Sequence, residues 1–489
     1  MTLTTTTRLD AGPVTRTRRS RSVAALSLTF FVVYGAYSVA RQQLYLTAGY
    51  DLGIFDQAVR NYSRFRAPTV ALKGVDYNIF ADHFHPIIAT AAPFYWIWDN
   101  PDVLLILQAA LIAASVPIVY GFTRRRTSHR TALIVAAVYG LGWGVQGMVD
   151  FDFHEIAYAV PLLAAAIDAL DREDDRWLLI TCGLLLLVRE DMGTLVAMLG
   201  LLRLMRVPRR PGVVMVAGGL AAYVVTTSYV IPHFAQGGQF AYWTFDSLGK
   251  NAPDALINLV IHPWHALTIF VTPGVKVETM ALLFLPLALL PLRSRYVIVA
   301  APLFAERFFN SRPHLWTPQF HYNVLPWLVL VLAMIDAAGR LGLWSHVRRR
   351  VALVSYLAAW PLVLTIYPGP TPPVTQRVLD GAAWHPTGHT RAQERAVAQI
   401  PRDVCVAVDD RIAPHLTGRD RTTLPGVPAP RPDFIVLDMS EAEVGYLLPA
   451  PVDVLQQAWS NGYRVDYESD PMLVLKSPHY RGPSAACAP

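Results

Sequence analysis

Long apolar runs alternate with short polar stretches over most of this chain, and the alternation sets its architecture. Runs from Val23 to Ala40, Val103 to Phe122, Thr131 to Met148, Ile156 to Leu170, Val213 to Ile231, Glu278 to Leu292, Tyr296 to Ala305, Val324 to Ala338 and Val351 to Tyr367 read as membrane-spanning helices. Trp177 to Val188 and Met192 to Leu204 are each shorter than the roughly 17 residues a span needs. They meet at Arg189, Glu190 and Asp191. One long helix would bury these charges in lipid, so the pattern predicts two short helices whose junction lies in a protein-lined cavity.

The polar stretches sort by charge. RTRRSR, RRRTSHR, RVPRRPG, RSR and HVRRR are basic and DREDDR is mixed, and they recur on one side, the positive-inside pattern. The expectation is about eleven transmembrane helices, N-terminus cytoplasmic and C-terminus extracytoplasmic. On that topology every histidine except His129 and His346 falls on the outer side or at an outer helix end.

Residues 1–22, Thr-rich and basic, are expected to be a disordered cytoplasmic tail. The transmembrane domain covers 23–367, with a first outer loop over 41–102 that carries interfacial helices and a long outer loop over 232–275. A Pro-rich linker spans 368–380. Beyond it DVCVAVDD, DFIVLDM and MLVLK read as strands, and Gln393 to Gln399 and Val454 to Ser460 as helices. They predict a small α/β extracytoplasmic domain over 381–478, with a disordered end over 479–489.

Composition agrees. Of 489 residues 53% are hydrophobic and 16% charged, against about 25% charged in soluble domains. The net charge of +6 is spread over short clusters and forms no patch for nucleic acid. The three cysteines have no zinc-ligand spacing, and Cys405 and Cys487 are free to pair if the tail lies in an oxidising compartment.

Candidate chemistry gathers on the outer side. The first loop, YDLGIFDQAVRNYSRFRAPTVALKGVDYNIFADHFHP, brings Asp51 and Asp56 together with Asp82, His83 and His85. Leu52, Ile54, Phe55, Ala58 and Val59 suit one face of a short helix on the membrane surface, which would hold both aspartates just above the lipid. DFDFHE supplies Asp150, Asp152, His154 and Glu155, hard donors suited to Mg2+ or Mn2+. The broken helix adds Arg189 and Glu190, and the late loop adds Arg307, His321 and Tyr322. Arginines suit a phosphate or diphosphate, and a carboxylate can deprotonate an attacking hydroxyl. Asp51 and Asp56 are therefore the candidate catalytic residues. His83, His85, Arg189, Glu190, Arg307, His321 and Tyr322 are candidates for substrate and phosphate. Each set also has a structural reading: helix caps for Asp82, His83 and His85, and an ion pair between half-helices for Arg189 and Glu190.

YDLGIFDQAVRN, DHFHPI, FDFHE, LLLLVREDMG, HYNVLPW, IPRDVCVAVDDRIAPHLTGR and DFIVLDM together resemble a family of bacterial polytopic membrane proteins, domain of unknown function 2079. The resemblance runs from the first helix to about Lys476. That family is similar to the GT-C superfamily of membrane glycosyltransferases, which take sugars from polyprenyl phosphates on the outer face. The resemblance implies an α-helical GT-C-like fold and an inverting hexosyl- or pentosyltransferase. It places the catalytic base on Asp51, with Asp56 as substitute. His85-Pro86 stands where the superfamily often has His-Pro or Lys-Pro-Pro, and Arg189-Glu190-Asp191 where a Lys-Gly pair commonly breaks the helices. The implied partners are membrane lipid, a polyprenyl-phosphate sugar and an envelope glycan, lipid or protein acceptor. A lipid-carrier or solute transporter, or a non-catalytic envelope-assembly protein, is the alternative class.

Overall fold

A computed structural model describes residues 13–240, 243–366, 374–440 and 448–483. The first helix is Pro13–Gln43, 31 residues long, so it starts inside the segment expected to be a disordered tail. The proline suits a first helical turn, and the arginines that follow are good helix formers. It packs along Asp102–Arg124. Among the described residues five helices are long and apolar enough to cross a membrane, Ser20–Gln43, Asp102–Arg124, Arg210–Phe234, His321–Arg340 and Val347–Ile366. Two bent pairs, His129–Gly140 with Trp143–Val149 and Ala252–Ile261 with Pro263–Val271, raise the number to seven if each is one span.

Prolines break up one of the expected eleven spans. The run LLFLPLALLPLR is apolar throughout, yet Pro286 and Pro291 each remove a backbone N–H that a helix needs. The helix Val275–Phe284 gives way to 3-10 turns at Leu285–Leu287 and Leu290–Arg293, with Ala288 and Leu289 left-handed between them at φ 53° and 57°. Arg295–Ala300 is likewise 3-10. The stretch expected to be a long outer loop instead carries Ala252–Ile261 and Pro263–Val271, which meet at 106° across Pro263 and leave Leu256, Val260, Ile261 and Trp264 exposed.

Helix Met192–Leu204 lies against Arg210–Val225 along a seam of glycines. A Cβ on Gly193 would stand 2.4 Å from the Gly219 carbonyl oxygen, and one on Gly219 2.4 Å from that of Gly193. One heptad further, a Cβ on Gly212 would lie 2.9 Å from the Gly200 carbonyl. Small residues at such crossings let backbones approach where lipid offers no hydrophobic drive. At the bundle end away from the tail domain, Arg125 and Arg126 hold Asp168 and Asp171 at 2.5–2.8 Å, and Asp336 holds Arg340 at 3.1 Å and Ser294 at 2.6 Å.

The tail domain is a mixed five-stranded sheet of order β2-β1-β3-β5-β4. Strands β1 (Cys405–Val408), β2 (Arg421–Thr423) and β3 (Phe434–Asp438) run parallel; β5 (Met472–Lys476) is antiparallel to both β3 and β4 (Arg464–Ser469). Helices Gly388–Ala398 and Pro451–Ser460 accompany the sheet. The first six residues of the expected linker, 368–373, and Cys487 of the expected cysteine pair lie outside the described residues. Val374–Leu379 is helical and tied to the bundle, Arg377 meeting Asp150 at 3.2 Å and the Thr375 amide donating to Gln146 at 3.0 Å.

The domain sits directly on the first loop. The His415 ring stacks on Tyr45 with centroids 3.7 Å apart, the Gln57 side chain donates to the Thr422 carbonyl at 3.1 Å, and the Gly49 amide donates to the Asp410 carbonyl at 2.7 Å. Helix Ile54–Ser63 is therefore enclosed by protein, with Ile54, Phe55, Asp56, Ala58, Val59 and Arg60 all buried. The expectation of a helix resting on lipid is corrected: its apolar face packs on the rest of the first loop, Pro86–Ala91 and Ala92–Tyr95, and on Phe153, while the tail domain meets Gln57 on another face.

The glycine seam makes a stability prediction. Gly193→Leu should force the two helices apart and cost about 1–3 kcal/mol, seen as a lower thermal midpoint in detergent, while Gly218→Leu, with open space at its Cβ, should leave the midpoint in place.

Candidate active site

A single π-helical turn, Gly49–Gly53, opens the short helix of the first loop and presents Asp51. The turn closes through the Gly53 amide on the Ala48 carbonyl at 3.2 Å, and the Ala48 amide donates to Asp152 at 2.5 Å. Asp51 Oδ1 then stands 3.4 Å from His154 Nε2, with 26% of its side chain exposed. Burial, then the charges of Asp152 and Asp410, hold the Asp51 carboxyl well above the usual carboxylate range. Such a group is a stronger base than an ordinary aspartate once ionised.

Asp56 has another fate. It is fully buried, takes Arg60 at 2.9 Å and accepts the Tyr95 hydroxyl at 2.7 Å. Its lone pairs are spent inside the fold, so the structure sets Asp56 in a different environment from Asp51, for which the sequence offered it as a substitute.

Behind Asp51 the rings line up. His154 and His321 lie 3.8 Å apart by centroid, Tyr322 is 4.0 Å from His321, and Phe151 is 4.7 Å from it. Burial, helped by Arg189, pulls the His154 imidazolium down to about 3, so this ring is neutral. Both ring nitrogens of His321 are buried without a hydrogen-bond partner among the described residues. Arg307 is 3% exposed, gives its Nε to the Leu315 carbonyl at 2.6 Å, and keeps Nη1 and Nη2 buried and unpartnered among the described residues. Burial pushes its guanidinium down to about 10. A buried cation with idle donors is costly on its own account, and an anion brought against Nη1 and Nη2 would relieve that cost.

Arg189 differs from Arg307. It takes Asp191 bidentately at 2.7 and 2.5 Å, and lies 3.7 Å from Glu155 and 3.5 Å from Glu306. Residues 186–191 lie between the helices Asp175–Leu185 and Met192–Leu204, so these pairs cover the break. Glu190 faces the other way, 2.6 Å from His83 Nδ1, and accepts the Phe84 amide at 3.1 Å. His85 is buried against Phe55, its Nδ1 unpartnered among the described residues, and burial holds it neutral with its pKa near about 3.

The four candidate metal ligands are not gathered into a cage. Asp150 accepts the Tyr37 hydroxyl and pairs with Arg377, Asp152 takes the Ala48 amide and lies 3.7 Å from Arg41, and Glu155 faces Arg189. Only His154 looks toward Asp51. Among the described residues no three His, Cys, Asp or Glu side chains are grouped to hold an ion. The spacing in DFDFHE read them as one helical face, whereas residues 151–154 are not helical and Glu155 begins the next helix.

Sequence reasoning missed Glu306, Lys73, Arg41 and Asp410. Glu306 sits beside Arg307 and faces Arg189, and Lys73 neutralises Asp82. Glu306 was legible as a charge beside Arg307 in an otherwise apolar run, and Lys73 as a charge between Leu72 and Gly74; Asp410 lies just past a strand end that gives no sign of where it docks. Trp316 is buried with its indole N–H on the Asn310 carbonyl at 3.1 Å.

The family model described as predicted membrane protein DUF2079 matches residues 41–473, so the chain belongs to that family. No curated protein matches the sequence. Among solved structures it is similar to ArnT from Cupriavidus metallidurans bound to undecaprenyl phosphate, at TM-score 0.51 and 12% identity over 93% of this chain and 97% of that one. The apo state of the same protein gives TM-score 0.51 and 12% identity over 94% and 98%. The archaeal oligosaccharyltransferase AglB from Archaeoglobus fulgidus, in complex with an inhibitory peptide and a dolichol-phosphate, shows TM-score 0.39 and 11% identity over 94% and 75%, too loose a likeness to argue from. The fold is that of GT-C glycosyltransferases, a helical membrane bundle with a small C-terminal sheet domain.

The His83–Glu190 pair makes stability depend on pH. Burial alone would lower the His83 pKa, but Glu190 outweighs it and lifts the imidazolium to about 9. A raised folded-state pKa stabilises fully below the unfolded value of about 6.5 and loses that contribution as pH rises through about 9. The thermal midpoint of wild type in detergent should fall between pH 6.5 and 9.5 more steeply than that of His83→Gln, which has no proton to lose.

Proposed function

We propose that this member of the DUF2079 family is an inverting GT-C-type glycosyltransferase. It moves a hexosyl or pentosyl group from a polyprenyl phosphate to an envelope glycan, lipid or protein acceptor on the outer face of the bacterial plasma membrane. The observation that carries the reading is Arg307, buried with two idle donors, in the same ring-lined site as an ionisable carboxyl of raised pKa, Asp51. A base and an anion clamp in one water-poor site are what displacement of a sugar from a phosphate needs. The fold shared with a protein crystallised with undecaprenyl phosphate supports the same donor class.

The step balances as a single displacement. The acceptor hydroxyl oxygen bonds to the anomeric carbon as Asp51 takes the hydroxyl proton, and the bond from that carbon to the phosphate oxygen breaks with its electron pair on the leaving phosphate. Arg307 binds the phosphate oxygens bidentately through Nη1 and Nη2, and His321 and Tyr322 line the same place. Arg189, already matched by Asp191, Glu155 and Glu306, holds the broken helix open and does not itself clamp the phosphate. His83, His85 and Glu190 support that wall. A resident Mg2+ or Mn2+ does not fit the residues present, because Asp150, Asp152 and Glu155 each face an arginine.

The test is transfer by purified protein in detergent from polyprenyl-phosphate sugars to envelope acceptors. Asp51→Asn should lower kcat about 10²–10⁴-fold. Arg307→Ala should lower kcat/KM about 10²–10³-fold, with partial recovery in Arg307→Lys. Asp56→Asn should instead lower the thermal midpoint. Transfer by wild type that survives unchanged in a folded Asp51→Asn would remove Asp51 as base, and absence of transfer from every donor would overturn the enzyme reading.

A further inference from the structure

We infer that Asp410 of the tail domain is a positioning residue for Asp51, capping from a distance the turn that carries it. The inference rests on Asp51 being the base.

A helical turn begins with backbone N–H groups that its own hydrogen bonds leave idle, and a Ser, Thr, Asp or Asn just before it usually takes one. Ala48 stands in that place and has no side chain to offer. Two aspartates from elsewhere in the chain supply the acceptors. The Ala48 amide goes to Asp152 Oδ2 at 2.5 Å, across 104 residues, and the Tyr50 amide goes to Asp410 Oδ1 at 2.9 Å, across 360. The Gly49 amide between them goes to the Asp410 backbone carbonyl at 2.7 Å. Three successive donors are thus fixed, and Asp51 is the next residue.

Asp410 is well placed for this because its own position is set. It follows β1, where the Asp409 amide donates to the Val436 carbonyl of β3 at 3.0 Å and the Asp409 carbonyl accepts the Ile412 and Ala413 amides at 3.0 and 3.1 Å. The short helix Ala413–Leu416 then presses on the loop so closely that a Cβ on Gly49 would lie 2.7 Å from Ala413 Cβ. His415 on that helix stacks on Tyr45. The carboxyl ends of parallel strands are where α/β domains usually bind a ligand; here the end of β1 receives the backbone of another part of the chain. Without the Asp410 carboxylate the Tyr50 amide loses its acceptor while the Gly49 amide keeps the backbone carbonyl of residue 410, and the carboxylate on the next residue loses the register that sets it 3.4 Å from His154. An error of about 1 Å in a reacting group can cost about 10²-fold in rate.

The test compares full-length wild type with Asp410→Ala, Asp410→Asn and Asp410→Glu by two readouts, transfer kinetics and hydrogen exchange of the peptide covering residues 48–53. Asp410→Asn keeps an oxygen acceptor at Oδ1 and should retain kcat within about threefold with wild-type exchange. Asp410→Ala should lower kcat about 10²-fold with donor KM nearly unchanged, and residues 48–53 should exchange faster while β3 keeps its protection. Faster exchange across the whole sheet in Asp410→Ala would mean the tail had unfolded. Asp410→Glu then decides, since it keeps the charge but displaces the acceptor by a methylene; it should follow the alanine variant. Wild-type exchange at 48–53 in a folded Asp410→Ala or Asp410→Glu, or full kcat in either, overturns the inference. If wild type itself transfers no sugar, the glycosyltransferase reading falls, and the exchange arm still decides whether Asp410 fixes the turn.

Discussion

The pairing of Arg189 with Asp191, Glu155 and Glu306 is the interaction on which the site depends. Two short helices end at this point with backbone groups unspent, and an unmatched charge here would be costly in a water-poor surrounding. Three carboxylates around one guanidinium make the break tolerable. The guanidinium also lies close enough to His154 to disfavour its protonated form, so a group remote from Asp51 in sequence tunes the imidazole that Asp51 meets.

Against that matched arginine, Arg307 stands out by contrast. Both are buried, both belong to the same cluster, and one is saturated while the other keeps two donors idle. The same contrast separates Asp56, enclosed by Arg60 and Tyr95, from Asp51, which meets a neutral imidazole and like charges.

The apolar runs and the charge sorting of the loops were enough to read a polytopic bundle, a broken helix at Arg189 and a small α/β tail. Strands β1, β3 and β5 fall on continuous apolar runs, whereas β4, RVDYES, is an exposed edge strand and β2 is three residues long, so neither leaves a hydrophobic signature. Pro286 and Pro291 were visible signals that apolarity overrode, whereas the polar and aromatic residues around Pro263 hid two short apolar helices in a stretch read as loop. Of the site, Asp51, His154, Arg307, His321 and Tyr322 were legible as charges, histidines and a tyrosine outside the spans, and the structure brings them together. The partition of aspartates into bases and braces was not legible, because it depends on Arg60, Tyr95, Arg41 and Asp410, whose approach is a matter of packing with no local pattern. The DFDFHE acids misled for the same reason: spacing gave them a common face that a non-helical backbone does not have.

The docking of the tail on residues 45–57 also orders events in time. A ribosome delivers the first loop early and residue 410 only near the end of synthesis. The bundle can therefore be threaded into the membrane, its helices paired along their glycine seams, while the turn at Gly49–Gly53 still lacks two of its backbone partners. The turn that carries Asp51 is completed only when residue 410 arrives, and a chain truncated before it, however well inserted, would lack two of the acceptors that hold that turn.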